Sequence, residues 1–238
     1  MPRLYTDLAP WWPLFSHPDR YEEEAEWLLG VLDSTLGRRP ASLLELGSGG
    51  GNLASHLKAH FDLTLCDLSP EMLAVSRRLN PELPHTVADM RTARLGRLFD
   101  VVLIHDAIMY CTTKPDVRAA LATAAAHCRA GGCVLIVPDC VRESFAPYTD
   151  ADGEDGLDGR SARYLEWVFD PDPSDDTFET IYVLTLREAN GELQVVPDRH
   201  VEGLFAEQDW LDWLAQVDVR AHVVIDRWHR HVFVGEKR

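Results

Sequence analysis

The pattern that most restricts the fold is a series of short apolar runs, separated by helix-like segments, that ends before residue 140. The runs are Leu43-Leu44-Glu45-Leu46, Leu63-Thr64-Leu65-Cys66, a weaker His85-Thr86-Val87, Val101-Val102-Leu103-Ile104 and Cys133-Val134-Leu135-Ile136-Val137. Strands that are apolar throughout are covered on both faces, and strands joined through helices run parallel. The expected fold class is α/β, a Rossmann-like doubly wound and mostly parallel sheet. Between the runs, Tyr21, Ala25, Leu28, Leu29 and Leu32 recur at helical spacing, and Asp19 with Glu22 reads as a capping box. Ser69-Pro70-Glu71 opens a second helix, and residues 116–129 form another, closed by Gly131-Gly132.

After Pro138 the rhythm breaks. Residues 150–179 are dense in Asp and Glu and are expected to be a solvated loop holding one strand, Tyr164 to Phe169. Asn190-Gly191, between Thr180–Leu186 and Leu193–Val196, is a two-residue hairpin signal, so antiparallel strands are expected here. A helix over Gln208 to Ala215 and strands at Ala221–Ile225 and His231–Val234 complete the chain. A length of 238 residues suits one domain, 1–238, with 140–204 as an antiparallel capping insertion after the fifth strand.

The chemistry-bearing residues stand just past the strands. Gly47, Gly49 and Gly51 lie between a strand and a helix, where a glycine backbone can turn tightly and approach a ligand. A dinucleotide fingerprint would place a small residue where Asn52 stands, and a pyrophosphate would avoid the acid at Glu45. A cofactor with a cationic sulfonium and no phosphate tolerates that acid. Asp67 follows the second strand, where a carboxylate can accept from both hydroxyls of a ribose. Asp89 and Met90 follow the third, offering an acceptor for an adenine amino group and a thioether for its ring. His105-Asp106 follows the fourth. Each has a plainer alternative: a tight turn for the glycines, a helix cap for Asp67, a turn for Asp89, core packing for Tyr21 and a satisfied buried histidine for His105.

In order and spacing, this set resembles the class I S-adenosylmethionine-dependent methyltransferases. The matching residues are Leu44 to Gly51, Leu65 to Leu73, Ala88-Asp89-Met90-Arg91, Phe99 to Ile104 and Gly131-Gly132, within a likeness running from about residue 20 to 138. The chain looks most like the small-molecule N-methyltransferases of the aminosugar type, which share an early tyrosine helix, an Asp-Met pair and an antiparallel insertion. The resemblance implies S-adenosylmethionine as cofactor and a small-molecule acceptor, nitrogen ahead of oxygen. It implies cofactor contacts from Tyr21, Gly47, Asp67, Asp89, Met90 and His105, with Gly49, Gly51 and Leu68 beside them. The family often carries an apolar or sulfur residue where His105 stands, so only a backbone contact carries over there. Tyr5, Tyr110, Asp139 and His200 are the candidate acceptor walls, placed near the strand ends or on the insertion. No general base is evident. The alternatives are a non-catalytic cofactor-binding sensor or inactive partner subunit, and a nicotinamide-dependent oxidoreductase.

Charge and composition restrict the partners. Lys and Arg number 23 against 39 Asp and Glu, a net charge of −16 that repels nucleic acid and anionic membranes alike. The five cysteines lack metal spacing and most sit among apolar neighbours, which implies a reducing, cytoplasmic setting. The opening residues contain no apolar signal segment. His222, His229 and His231 lack a completing ligand, so no metal is expected. Trp11-Trp12-Pro13 reads either as a lid over the cofactor or as an anchor for the amino-terminal segment, and Trp210 with Trp213 as core. If the insertion does not cover a site, it is a peripheral ornament or a homodimer contact through its exposed strand edge.

Overall fold

The computed structural model describes residues 1–238. Helix α1 (Glu22–Leu36) leads into β1 (Ser42–Leu46), α2 (Asn52–Leu57), β2 (Asp62–Asp67), α3 (Pro70–Leu79), β3 (His85–Val87), β4 (Phe99–His105), α4 (Lys114–His127) and β5 (Cys128–Val137). Strands β6 (Tyr148–Asp152), β7 (Ser161–Phe169), β8 (Thr177–Arg187) and β9 (Leu193–Gly203) follow, then α5 (Glu207–Gln216), β10 (Val219–Ile225) and β11 (His231–Lys237). The main sheet has seven strands in the order β10-β11-β5-β4-β1-β2-β3, with β11 antiparallel to both neighbours. Successive residues of one strand feed opposite cores. Leu44, Val102 and Ile136 pack on one side with Trp210 and Trp213, while Leu43, Val101 and Leu135 pack on the other against α1 and α2. That two-sided burial explains the unbroken apolar runs. Strand order reverses between β1 and β4, so a ligand crevice is expected beyond their carboxyl ends.

The second sheet is antiparallel, in the order β6-β7-β8-β9. Along β9, Val196, Asp198, His200 and Glu202 are buried while Val195, Pro197, Arg199 and Val201 face solvent. Pro197 is tolerated because β9 is an edge strand. The inner face receives the amino-terminal segment: Leu4, Leu8, Trp11, Leu14 and Phe15 pack against Ala162, Leu184, Leu186 and Val196. Trp11 is therefore an anchor.

Three local expectations are corrected. Asp19 does not cap α1. Residues Pro18–Tyr21 form a 3-10 turn in which the His17 ring accepts from the Asp19 N–H at 3.3 Å, and α1 then starts without a side-chain cap. The turn is held by His56 of α2, whose Nε2 lies 2.9 Å from the Pro18 carbonyl. Helix α4 starts earlier than expected, behind the Thr113 cap, and ends at His127, with Gly131-Gly132 inside β5. A Cβ on Gly132 would stand 2.7 Å from the Asp100 carbonyl, so this glycine serves the close approach of β5 to β4. The acidic stretch is more strand than loop. Ala162, Val168 and Phe178 still place apolar side chains inward, so β6, a longer β7 and the start of β8 form across it.

Candidate active site

The glycine loop is folded onto the end of β2. Gly47 and Ser48 N–H both donate to the Cys66 carbonyl, at 2.7 and 3.0 Å. Gly47 has φ +77°, and a Cβ there would fall 2.3 Å from Ala107 Cβ and 3.1 Å from Met90 Cε. Only glycine fits. At Gly50 the contact is aromatic, since a Cβ would meet the Trp12 indole at 2.5 Å. Trp12 thus lies against the glycine loop while Trp11 anchors its segment. Asn52 opens α2, and its amide donates to Ser16 O and Oγ at 2.9 and 3.0 Å; Ser16 Oγ lies 2.9 Å from the Tyr21 hydroxyl. Tyr21 is drawn to the loop in this way, with its ring edge-on to His105 at 6.4 Å.

Asp67 accepts from the Gly49 N–H at 2.8 Å and the Ser69 N–H at 2.7 Å, one on each oxygen. Burial raises its carboxyl and those backbone bonds pull it back, leaving a net upward shift. Ser69 caps α3 by accepting from the Met72 N–H, so Asp67 is spare for a ligand as well as for the loop. Leu68 stands beside it, 49% exposed. The Asp89 carboxylate is gripped by Arg91, which also reaches Asp116 at 2.8 Å, and Arg91 holds the Asp89 carboxyl below its usual value. Met90 packs beside Gly47 and Ala107.

Past β4 and β5 lies a charged cluster with few sequence cues. His105 Nε2 is 2.8 Å from Glu24 Oε1, and its Nδ1 is 3.2 Å from Asp106 Oδ2. Arg230, at the tip of the β10–β11 hairpin, reaches Glu24, Asp226 and Asp106. Burial alone would lower the His105 imidazolium, yet Asp106 and Glu24 hold it up at about 9. Burial would likewise raise Glu24, but His105 and Arg230 bring it down to about 2. Asp106 and Asp139 follow adjacent strands. The surrounding protein desolvates both carboxyls, each is further raised by neighbouring acids, and both end above the ordinary range. Asp106 is half-buried and Asp139 is exposed. Glu45 lies beneath the glycine loop with its carboxyl pushed to about 7, chiefly by burial.

The four acceptor-wall candidates do not all stand together. Tyr5, Tyr110 and His200 meet directly: Tyr110 Oη is 2.9 Å from Tyr5 Oη and 2.7 Å from His200 Nδ1. Asp139 is nearby, acting electrostatically on Tyr5 and on Glu202, but it makes no bond to the other three. Glu202 and Tyr182 complete the surroundings and escaped the sequence reading. The alternation Asp198, His200, Glu202 along one strand was the available signal.

Residues 43–132 match a family model described as a methyltransferase domain. Over 120 residues the chain is 34% identical to the dTDP-3-amino-3,4,6-trideoxy-alpha-D-glucopyranose N,N-dimethyltransferase of Streptomyces venezuelae, covering 49% of this chain and 51% of that protein. Over 131 residues it is 34% identical to the dTDP-3-amino-3,6-dideoxy-alpha-D-glucopyranose N,N-dimethyltransferase of Streptomyces fradiae, covering 54% and 51%. The matches thus span about half the length of these curated relatives. The crystal structure of Streptomyces venezuelae DesVI superposes with a TM-score of 0.83 at 25% identity, covering 92% of each chain. The sugar N-methyltransferase KedS8 from a Streptoalloteichus species gives a TM-score of 0.82 at 28% identity, covering 90% of this chain and 87% of the other. Residues 43–132 thus carry a methyltransferase domain, for which S-adenosylmethionine is the methyl donor.

The residues of this methyltransferase domain suit that cofactor. Glu45 Oε2, Ser48 Oγ, Trp12 Nε1 and Asp106 Oδ1 are buried around the glycine loop without hydrogen-bond partners. Two of them are carboxylate oxygens, matched to a ligand that brings cationic and hydrogen-bonding groups. A cation arriving near Glu45 lowers a carboxyl now at about 7. At pH 7, cofactor binding should therefore release up to about half a proton. Calorimetry in buffers of differing ionisation enthalpy reads this directly, and a Glu45→Gln variant should abolish it; proton uptake instead would contradict the assignment. Asp67→Ala should weaken cofactor binding by about 1.5–3 kcal/mol per lost charge-assisted bond. It should also lower the unfolding midpoint, because one carboxylate oxygen braces the glycine loop at Gly49 and the other the start of α3 at Ser69. An unchanged dissociation constant removes Asp67 from the site.

Proposed function

We propose that this protein methylates the amine nitrogen of a small, aminosugar-type molecule. S-adenosylmethionine, when bound, supplies a methyl group already activated on a cationic sulfur. The chain's task is then chiefly to hold the acceptor in line, where orientation carries much of the rate. The carrying observation is adjacency. The glycine loop opens at the carboxyl ends of β1 and β4, and a cluster of Tyr5, Tyr110, Tyr182 and His200, on which Glu202 and Asp139 act electrostatically, adjoins it through Tyr5 and Trp12. Carboxylates beside such a cluster favour an acceptor that carries positive charge, as an amine does. The names of both curated relatives, sugar N,N-dimethyltransferases, support nitrogen over oxygen.

Tyr21, Gly47, Gly49, Gly51, Asp67, Leu68, Asp89, Met90 and the His105 backbone are proposed to hold the cofactor. Residues 140–204 are proposed to cover the acceptor side. A nicotinamide reading is disfavoured by Glu45 beneath the loop and by buried Asn52 where the fingerprint wants a small residue. Five free cysteines support a reducing compartment such as the cytoplasm. No helix is long and apolar enough to cross a membrane. The outer face of the antiparallel sheet carries exposed Trp167, Leu193, Val195 and Val201, which supports a homodimer; a monomer in sedimentation experiments would remove that part.

A panel of aminosugars (free and nucleotide-linked), simple amines and phenols, incubated with S-adenosylmethionine, should yield S-adenosylhomocysteine with the aminosugars. With the acceptor so found, Asp139→Asn should raise its KM about ten- to a hundredfold, the worth of one charge-assisted bond, and leave cofactor affinity within about twofold. If no amine yields product, a cofactor-binding sensor remains and the proposal falls.

A further inference from the structure

Four side chains from three distant parts of the chain meet in one line. Asp198 Oδ2 lies 3.2 Å from His200 Nε2, His200 Nδ1 lies 2.7 Å from Tyr110 Oη, and Tyr110 Oη lies 2.9 Å from Tyr5 Oη. The far end is fixed, since Asp198 also accepts from the Leu4 N–H at 2.7 Å and the Arg3 N–H at 3.1 Å. Burial would raise the Asp198 carboxyl, but His200 and those two amides hold it below its usual value. An ionised Asp198 accepts a hydrogen bond from Nε2–H, which selects the tautomer whose Nδ1 lone pair faces Tyr110. His200 is 1% exposed and is enclosed by the Tyr5, Tyr110 and Tyr182 rings at 5.6, 5.9 and 4.9 Å. The near end, Tyr5, sits against Trp12 of the glycine-loop contact at 5.9 Å. The titratable groups that face the line are Tyr182 of β8, Glu202 of β9, Asp106 beyond β4 and Asp139 beyond β5.

We propose that this line is the proton exit for the acceptor amine, running from Tyr5 through Tyr110 to His200, with Asp198 as its counter-charge. It rests on the amine-methylation reading above. An aliphatic amine is mostly ammonium at neutral pH and has no lone pair for attack until it loses a proton. That N–H proton passes to Tyr5 Oη, the Tyr5 proton passes to Tyr110, and the Tyr110 proton passes to His200 Nδ1, leaving an imidazolium opposite the Asp198 carboxylate. The freed lone pair then forms the N–C bond while the C–S electrons leave with sulfur. In the structure Tyr110 donates to Tyr5, the arrangement of the loaded line, in which Nδ1–H donates to Tyr110; rotation of the two hydroxyls reverses both bonds for the next transfer. Burial raises both phenols, so they pass the proton as neutral hydroxyls rather than hold charge. Tyr5 is the catalytic residue, and Tyr110, His200 and Asp198 are positioning residues.

The variant Tyr110→Phe keeps the ring and breaks the line. With dTDP-3-amino-3,6-dideoxy-α-D-glucopyranose as probe acceptor, its kcat at pH 6.5 should fall about 100-fold relative to wild type, with cofactor affinity unchanged. The deficit should shrink to about threefold by pH 9.5, where the amine arrives already deprotonated. A loss equal at all pH values, or no loss, overturns the proposal, because packing alone has no such profile. Nitrogen-15 NMR of the cofactor-free protein is independent of turnover: with the His200 ring neutral, the proton should sit on Nε2, and Tyr110→Phe should shift the Nδ1 resonance. A proton on Nδ1 overturns the line. A wild-type protein that turns over no amine counts against the function reading instead, and the tautomer still decides the line.

Discussion

Arg230→Met should lower the free energy of unfolding by about 3–5 kcal/mol, the usual cost of stranding buried charge by removing one partner. Arg230 is 16% exposed and joins the carboxyl-terminal hairpin to α1 through Glu24, with Asp226 held at 2.7 Å. Its loss leaves the Glu24 carboxylate, 9% exposed, with His105 alone, and leaves Asp226 with only backbone donors. Urea unfolding at pH 6 measures the effect; a loss under about 1 kcal/mol would show that the stranded acids simply take up protons. The pH dependence of the wild type follows from the same cluster. Glu24, lowered from 4.5 to about 2, contributes stability that is present above pH 4.5 and lost as pH falls toward 2. His105, raised from 6.5 to about 9, contributes stability that is complete below pH 6.5 and lost as pH rises through 9. Their combined contribution is therefore greatest between pH 4.5 and 6.5. His105→Gln should flatten the alkaline side of the stability curve.

Gly47→Val should abolish measurable cofactor binding, with affinity down at least about 100-fold, and also destabilise the fold. Two costs add. A β-branched residue at φ +77° is strained, by roughly 1–2 kcal/mol for the left-handed backbone alone. Its Cβ would also overlap Ala107 Cβ, with a gap of only 2.3 Å, and overpacking of that kind typically costs about 1–3 kcal/mol. The loop can relieve this only by moving off Met90 and the β2 end, which displaces the backbone that approaches the cofactor. Gly30→Ala is the control: it lies on the exposed side of α1 with nothing near its Cβ, and should stabilise by about 0.5–1 kcal/mol. Calorimetric titration of the folded Gly47 variant decides, and normal binding would reduce the loop to a turn.

What the sequence determined by itself is what local patterns encode. Two-sided burial writes unbroken apolar runs into β1, β4 and β5, so the parallel sheet is legible in the sequence. A backbone that must turn and approach a ligand needs glycine, so the Gly47–Gly51 loop was legible too, with Asp67 and Asp89 following at the next strand ends. Asn190-Gly191 marked its hairpin because the turn geometry demands those residues. The helix ends were less secure: Gly132 resembles a helix stop, and only its 2.7 Å approach to the Asp100 carbonyl shows that it serves a strand crossing.

Tertiary structure alone decided the groups whose members lie far apart in the chain. Glu24 and Arg230 are separated by 206 residues, and no periodicity links them. The Tyr5–Tyr110–His200–Asp198 line spans almost as much, and its order depends on how the second sheet lies against the amino-terminal segment. Trp11 and Trp12 are neighbours with one composition and two fates, one in the antiparallel sheet's core and one on Gly50, because adjacent side chains leave a tight turn in different directions. Period and turn chemistry are properties of a few consecutive residues; a hydrogen-bonded line or a buried ion cluster is a property of which surfaces meet, and only the packed chain specifies that.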